Sequence, residues 1–332
     1  MSGAQTPRHP ATPEITVVVV TWEARDLVVG CLDSLARQGL DRSRWAVHVV
    51  DNGSHDGTAA AIAQHHPDAT VQRLERNLGF AGGVAAALGV VSSPWVVLLN
   101  NDARAGVDFL EALARARDAD LEADLPVAAW TARVLLAQPV DGQERVNSTG
   151  VVVHRDGNGA DRDWLVPAAD SHPPADVFGF CGAAVMLDTA AVAGVGGFDA
   201  AYFLYYEDTD LSWRLRLGGW SVHYVHDAVV HHEHGSSSGL GSPVFRFHNE
   251  RNRLTTLLKD APWRLVMPVV LRHPVMSLVR IARGGSARTD GLLRLHAYAA
   301  FVRRVPRTLA ARRAMPADMQ RRRADVARLL GP

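Results

Sequence analysis

Cysteine is nearly missing: Cys31 and Cys181 are the only two in 332 residues, and they stand in different segments. A disulfide framework is thereby excluded as the source of stability, and a reducing, cytoplasmic setting is expected. Long apolar runs are missing too. No window reaches the roughly 18 uninterrupted apolar residues of a membrane span. The opening "MSGAQTPRHPATP" (residues 1–13) lacks the hydrophobic stretch of a secretory signal and reads as a disordered leader. Glycine is absent where a dinucleotide-binding fold requires it, since none follows the first strand until Gly30. The Gly-Lys-Ser/Thr ending of a phosphate loop is absent as well. These gaps argue against an NAD-linked oxidoreductase and a P-loop nucleotidase.

What is present is an ordinary globular composition, 47% hydrophobic and 21% charged, with enough apolar material for a sizeable core. A net charge of zero hides an asymmetry. From Val244 onward 18 arginines and one lysine face five acids, a surplus of +14 that the first 243 residues mirror at −14. Such patterning speaks about partners rather than fold. In "RNRLTTLLKDAPWRLVMPVVLRHPVMSLVRIARGG" and "LLRLHAYAAFVRRVPRTLAARR" arginine alternates with long apolar side chains, which suits helices lying on an anionic membrane surface. The same helices could instead pack on the acidic body or join two copies as an oligomer. Nucleic acid is not expected as a partner, because no motif for it is recognisable.

Along the chain, "ITVVVVT", "WAVHVVD", "ATVQRL" and "WVVLLN" read as strands. They alternate with helical patterns in "DLVVGCLDSLARQ", "DGTAAAIAQHH", "FAGGVAAALGVV" and "GVDFLEALARARD". Continuous β-branched runs between helices imply an open, doubly wound α/β sheet. Ligands then bind beyond the carboxyl ends of the strands. Residues 127–176 read as strands and a loop covering the site, and "FGFCGAAVML" as a further strand. In "YFLYYEDTDLSWRLRLGGW", Glu207, Asp208 and Asp210 follow three tyrosines. Two readings stay open here: acidic residues starting a helix, and a carboxylate whose pKa an apolar wall raises into the range of a general base.

Six segments, taken together and in order, resemble the family 2 inverting glycosyltransferases of the GT-A fold, in their rhamnosyltransferase-like branch. They are "VVVVTWEARDLVVGCLDSL", "HVVDNGSHDGT", "ERNLGFAGG", "VVLLNNDA", "GFCGAAVMLDTAAVAGVGGFDAAYFLYYEDTDLSWRLRLGG" and "HHEHGSSSG", spanning about 220 residues. The resemblance implies a Rossmann-like GT-A catalytic domain over 14–243 and a basic helical region over 244–332. It implies transfer of a sugar, L-rhamnose, from a dTDP- or UDP-sugar to a hydroxyl of a glycan or lipid-linked acceptor. The protein would work peripherally on the inner face of the membrane. A non-catalytic sugar-nucleotide or glycan-binding protein on the same scaffold is the alternative.

By the same resemblance Asp51 would read the N3–H of uracil or thymine, with Thr21 and Glu23 lining the nucleoside pocket. Asn77, Gly79, Gly82, Asn101 and Asp102 would complete the donor site; tight packing is the other reading of Gly79, Gly82 and Gly83. A divalent cation, Mn2+ or Mg2+, would sit on Asp102 and His232, an imidazole favouring Mn2+. Asp208 would be the base, supported by Glu207, and Tyr205, Tyr206 and Asp210 would meet the acceptor. Two departures stand out: Asn100 replaces the first acid of the metal motif, and "VAAALG" offers alanines where family members often carry Asn.

Overall fold

A computed structural model of the protein describes residues 12–233 and 241–332. Most of the expected leader, and residues 234–239 of "HHEHGSSSG", lie outside the described residues. Strands β1 (Ile15–Thr21), β2 (Trp45–Asp51), β3 (Thr70–Arg73) and β4 (Trp95–Leu99) alternate with helices α1 (Arg25–Leu35), α2 (Thr58–His65) and α3 (Gly79–Leu88). Then come β5 (Ala103–Ala105), α4 (Phe109–Glu122), β6 (Val127–Leu136), β7 (Val146–Ser148), β8 (Val151–Val153), β9 (Gly159–Asp161), β10 (Ala184–Asp188), α5 (Thr189–Gly194), α6 (Glu207–Gly218) and β11 (Ser221–His232). The chain closes with α7 (Pro243–Asp260), α8 (Trp263–Arg283), α9 (Gly285–Ala314) and α10 (Ala317–Val326).

The main sheet runs β3-β2-β1-β4-β10-β6-β11-β5, with β7 beside β6 and β8–β9 as a separate hairpin. β3, β2, β1 and β4 are parallel, β10 is antiparallel to both neighbours, and β11 is parallel to β6. This is the expected α/β open sheet, curled and mixed. All seven residues of β1 are buried, because helices cover both faces: one core layer holds Val17 and Val19 with Leu32 and Leu113, the other Val18 and Val20 with Val84 and Leu211.

The segment after Val127 holds the expected strands, and the first of them, β6, is an almost wholly buried strand of the main sheet. One expectation is corrected. In "FGFCGAAVML" strand geometry begins only at Ala184.

The basic region is no detached appendage. Leu254, Leu257 and Leu258 of α7 share a core with Trp213 and Leu217 of α6, and with Phe301 and Met319. Lys259 pairs with Asp199 and Asp210 at 3.0 Å each. Arg304 donates to the Ala201 carbonyl, Arg307 pairs with Asp199, and Arg312 caps the Leu258 and Ala261 carbonyls. For these residues the basic tail meets the acidic body. The boundary expected at 243/244 is therefore where α7 begins, not where a folding unit ends.

One contact across that boundary positions the site. Phe203, Tyr205 and Tyr206 adopt left-handed φ of +68°, +67° and +71°, a costly conformation for bulky residues. The buried Asn252 of α7 holds them there, its Nδ2 donating to the carbonyls of Tyr202, Leu204 and Tyr205 at 3.1, 2.9 and 2.7 Å. Arg251 Nη2 adds a bond to the Tyr202 carbonyl at 2.7 Å. Asn252→Ala takes this donor from the part-buried carbonyls of Leu204 and Tyr205, while that of Tyr202 keeps Arg251, and a carbonyl left unpaired costs roughly 1–3 kcal/mol. Urea unfolding should show a loss of at least that size, whereas an unchanged midpoint would mean the loop holds itself.

Candidate active site

The residues expected to bind the donor lie at and just beyond the strand ends. Asp51 is fully buried at the end of β2. Its Oδ1 accepts the Ser54 N–H at 2.9 Å, while Oδ2 receives no hydrogen bond and faces Arg73 Nε at 3.6 Å. The "DNGS" turn and a spare acceptor thus coexist in one side chain. Asn101 Nδ2 donates to Thr21 Oγ1 at 3.0 Å, joining β1 to the residues after β4. Glu23 Oε1 accepts from the His55 N–H at 2.9 Å, so this carboxylate organises the loop after β2. Asn77 Oδ1 accepts the Gly79 N–H at 2.7 Å and starts α3. Gly79 has φ +73°, and a Cβ there would stand 2.1 Å from the Phe203 carbonyl oxygen. Side chains on Gly82 and Gly83 would meet Leu78 and Val20. All three glycines therefore serve close packing in this structure.

The residues after β4 meet the end of β11. His232 Nδ1 donates to Asn147 Oδ1 at 2.8 Å, because an amide oxygen can only accept. Its Nε2 then faces Asn100 Nδ2 at 3.3 Å and Asp102 Oδ1 at 3.1 Å. A lone pair set against a carboxylate calls for a proton or a cation between them. An orienting bond on the far ring nitrogen is what metal-ligating histidines have, so the pair fits a divalent ion. Among the described residues no group of three or more His, Cys, Asp or Glu side chains could hold a metal. A cation here would draw further oxygens from its ligand, as hard ions do on phosphates.

Across the site stand the carboxylates that begin α6. Glu207 is buried, and its Oε2 has no hydrogen-bond partner. Burial pushes its carboxyl up to about 8, with the Asp208 charge adding to the effect. Asp208 is half-buried and its carboxyl is also raised by burial, against bonds from the Thr209 and Gly182 N–H groups at 2.6 and 3.2 Å. Asp161, on β9, was not foreseen. Burial lifts its carboxyl to about 6; a Ser148 hydroxyl bond and His232 oppose this, and the Asp208 charge reinforces it. Asp161 therefore lies within electrostatic reach of both edges of the site.

Two acceptor-side expectations are corrected. Asp210 is fully buried: it takes Arg214 Nε at 2.9 Å, the Tyr202 hydroxyl at 2.9 Å and Lys259 at 3.0 Å. No acceptor can reach it. Tyr206 is buried too, its hydroxyl donating to the Gly157 carbonyl at 3.2 Å and accepting the Gly159 N–H at 3.0 Å. It anchors the hairpin that bears Asp161. Tyr205 remains partly exposed, edge-on to Phe245 at 5.0 Å.

Comparison with known proteins accounts for this layout. The family described as "Glycosyl transferase family 2" matches residues 16–131, and "Glycosyl transferase family group 2" matches residues 95–253. An N-acetylglucosaminyl-diphospho-decaprenol L-rhamnosyltransferase of Mycobacterium tuberculosis is 28% identical over 221 residues, 58% of this chain and 68% of that protein. The rhamnosyltransferase WbbL of Escherichia coli K12 is 44% identical over 55 residues, 16% of this chain and 21% of its own. This chain is a family 2 glycosyltransferase of the rhamnosyltransferase-like branch. A mannosyltransferase of Pyrobaculum calidifontis, solved with GDP-Man and Mn2+, shares the fold of the glycosyltransferase with a TM-score of 0.53. It is 20% identical, covering 96% of this chain and 86% of its own.

The Glu207 carboxyl gives this transferase a testable pH dependence. Its folded value of about 8 lies above the ordinary 4.5. The folded protein thus holds a proton that the unfolded chain has released. The associated stability is complete below about pH 4.5 and is lost as pH rises through about 8. The melting temperature should fall across that window, and Glu207→Gln should flatten the fall. Parallel pH profiles for the two proteins would show that Glu207 titrates normally.

Proposed function

We propose that this glycosyltransferase moves L-rhamnose from a dTDP- or UDP-sugar to a hydroxyl of a lipid-linked glycan at a membrane surface, with inversion, in a single displacement. The observation that carries the reading is Asp208. It is the partly exposed carboxylate of the α6 start, with its pKa raised by burial and its orientation set by two backbone N–H groups. The mycobacterial and Escherichia coli relatives, both rhamnosyltransferases, support the rhamnosyl donor, and the mycobacterial one supports the lipid-linked acceptor.

In this mechanism Asp51 Oδ2 accepts the N3–H of the pyrimidine, which cytosine lacks, and Ser54 holds the other oxygen away from it. Asp208 takes the proton of the acceptor hydroxyl as its oxygen attacks the anomeric carbon, from the face opposite the leaving diphosphate. Glu207, kept neutral by burial, spares Asp208 a second negative charge one residue away. Asp102 and His232 would hold a divalent cation, which neutralises charge on the leaving diphosphate. Asn147 fixes the imidazole for that task.

Asp208→Asn preserves shape and removes basicity, so turnover should fall by roughly 10²–10⁴-fold while donor affinity barely changes. Near-full activity in this variant, with Glu207→Gln inactive, would move the base by one residue. Asp102→Ala and His232→Ala should each weaken donor binding and cation dependence, yet leave binding of the free nucleoside through Asp51 intact. Undiminished transfer in excess EDTA would rule out the cation.

A further inference from the structure

Away from the catalytic centre, α7, α8 and α9 enclose a cleft of about 330 Å³, within the range of small-ligand sites. Arg253, Arg272, Arg280 and Arg294 line it, with His273 and Met276. The carboxylates nearby are fewer than the cations and already shared. Glu250 serves Arg253, Arg294 and His273 together, while Asp290 serves Arg246 and Arg280. Asp156, also on the lining, stands 3.8 Å from Arg253 Nη1. Arg272 is exposed and makes no hydrogen bond or ion pair among the described residues.

Buried polar atoms here lack partners. His273 is 3% exposed; its Nε2 donates to Glu250 Oε2 at 3.0 Å, and its Nδ1 has no partner. Arg294 Nε is buried without one as well. Such atoms are costly unless a ligand completes them. Guanidinium groups with spare N–H donors suit phosphate oxygens, which they can bind in pairs.

The outer face of α8 adds a second, independent feature. Trp263, Met267, Leu271, Val275 and Leu278 recur at helical spacing, and Leu271, Val275 and Leu278 are 61%, 57% and 57% exposed. The opposite face of α8 is the buried one, carrying Val266, His273 and Ser277. Arg272 and Arg280 sit beside this stripe, so a cationic cleft opens next to an unpartnered apolar ridge on the same helix. That pairing matches an amphiphile with a phosphate head and a hydrocarbon chain. A soluble anion would use the cleft and leave the ridge bare; a nucleic acid would gain nothing from the ridge.

We infer that the α7–α9 cleft is a binding site for the phosphate group of a membrane lipid, whose chain lies along the exposed face of α8. This assignment rests on the membrane-surface reading above and names the element that makes the contact. The cleft adjoins the catalytic centre through the β8–β9 hairpin. Asp156 at its turn lines the cleft, and Asp161, five residues on, reaches the electrostatic field of Asp208. Five residues span at most about 17 Å.

The test is vesicle flotation of the full chain with phosphatidylcholine alone, with added phosphatidic acid, and with added phosphatidylglycerol at matched surface charge. The wild type should prefer phosphatidic acid, whose phosphate is a terminal monoester. Arg272→Glu should weaken that binding by roughly tenfold or more. A Leu271→Glu, Leu278→Glu double variant should lose the vesicles but still bind pyrophosphate in calorimetry. All three positions are exposed, and thermal melts verify folding. Equal binding to both anionic vesicles, or indifference to Arg272→Glu, would overturn the site in favour of plain surface charge. Pyrophosphate binding without vesicle binding would assign the cleft to a soluble anion and overturn the lipid. Donor hydrolysis is measured on the same preparations; its absence beside intact vesicle binding counts against the transferase reading alone.

Discussion

The buried carboxylate of Asp210 is the point on which the site hangs. Burial alone would neutralise it, but Arg214 and Lys259 hold it charged, at a pKa of about 2. Arg214 comes from the same helix, one turn on, while Lys259 comes from α7, so the pair ties α6 to the C-terminal region. Neighbouring Asp260 is pushed the other way, upward, by burial and by the Asp210 charge. Asp210 thus sits between two cations in the interior, and Lys259 is shared with Asp199. Removing one partner of such a set costs about 3–5 kcal/mol, because it leaves a buried charge uncompensated. Tyr202, bonded to the same carboxylate, begins the loop that Asn252 then clamps. The turn that leads into α6 is held at both ends by α7.

That anchoring explains how three carboxylates within four residues acquire three environments. At about 100° per residue, positions 208 and 210 lie on opposite sides of a helix. Asp210 points inward to the cations and Asp208 outward to Gly182 and the site. Glu207, at the first helical position behind a left-handed Tyr206, is buried with its Oε2 left without a hydrogen bond. Helix initiation and general-base chemistry are therefore compatible readings of this stretch, because its carboxylates occupy different environments.

The opposite edge is a matter of strand pairing. β11 runs antiparallel to β5 with His232 opposite Ala103, which sets the imaginary line along which His232 meets Asp102. Asn100, the departure from an acidic metal motif, turns its amide toward the same ring nitrogen. The β8–β9 hairpin, pinned by the Tyr206 hydroxyl, brings Asp161 within electrostatic reach of both His232 and Asp208. The same hairpin reaches the cationic cleft of the C-terminal helices, so the two regions of the molecule share a wall.

What the sequence determined by itself was whatever depends on local pattern. The β-branched run of β1 could be buried only between two helical layers. The residues just past β2 and β4 were expected to face a ligand crevice, and the structure brings Asp102, past β4, against His232 at the end of β11. What the tertiary structure decided depends on partners distant along the chain. Asp210 and Tyr206 look like site residues in sequence and are consumed by Lys259 and by the Gly157–Gly159 turn, 49 residues away on either side. Asn147, Asp161 and Asn252 carry no local signal, because an orienting amide or a raised carboxyl exists only once the sheet has closed around it. The basic tail is divided in the same way. Its composition announces an anionic partner, but only packing shows that arginines such as Arg304, Arg307 and Arg312 are spent on the protein itself, while Arg272 beside the bare face of α8 is not.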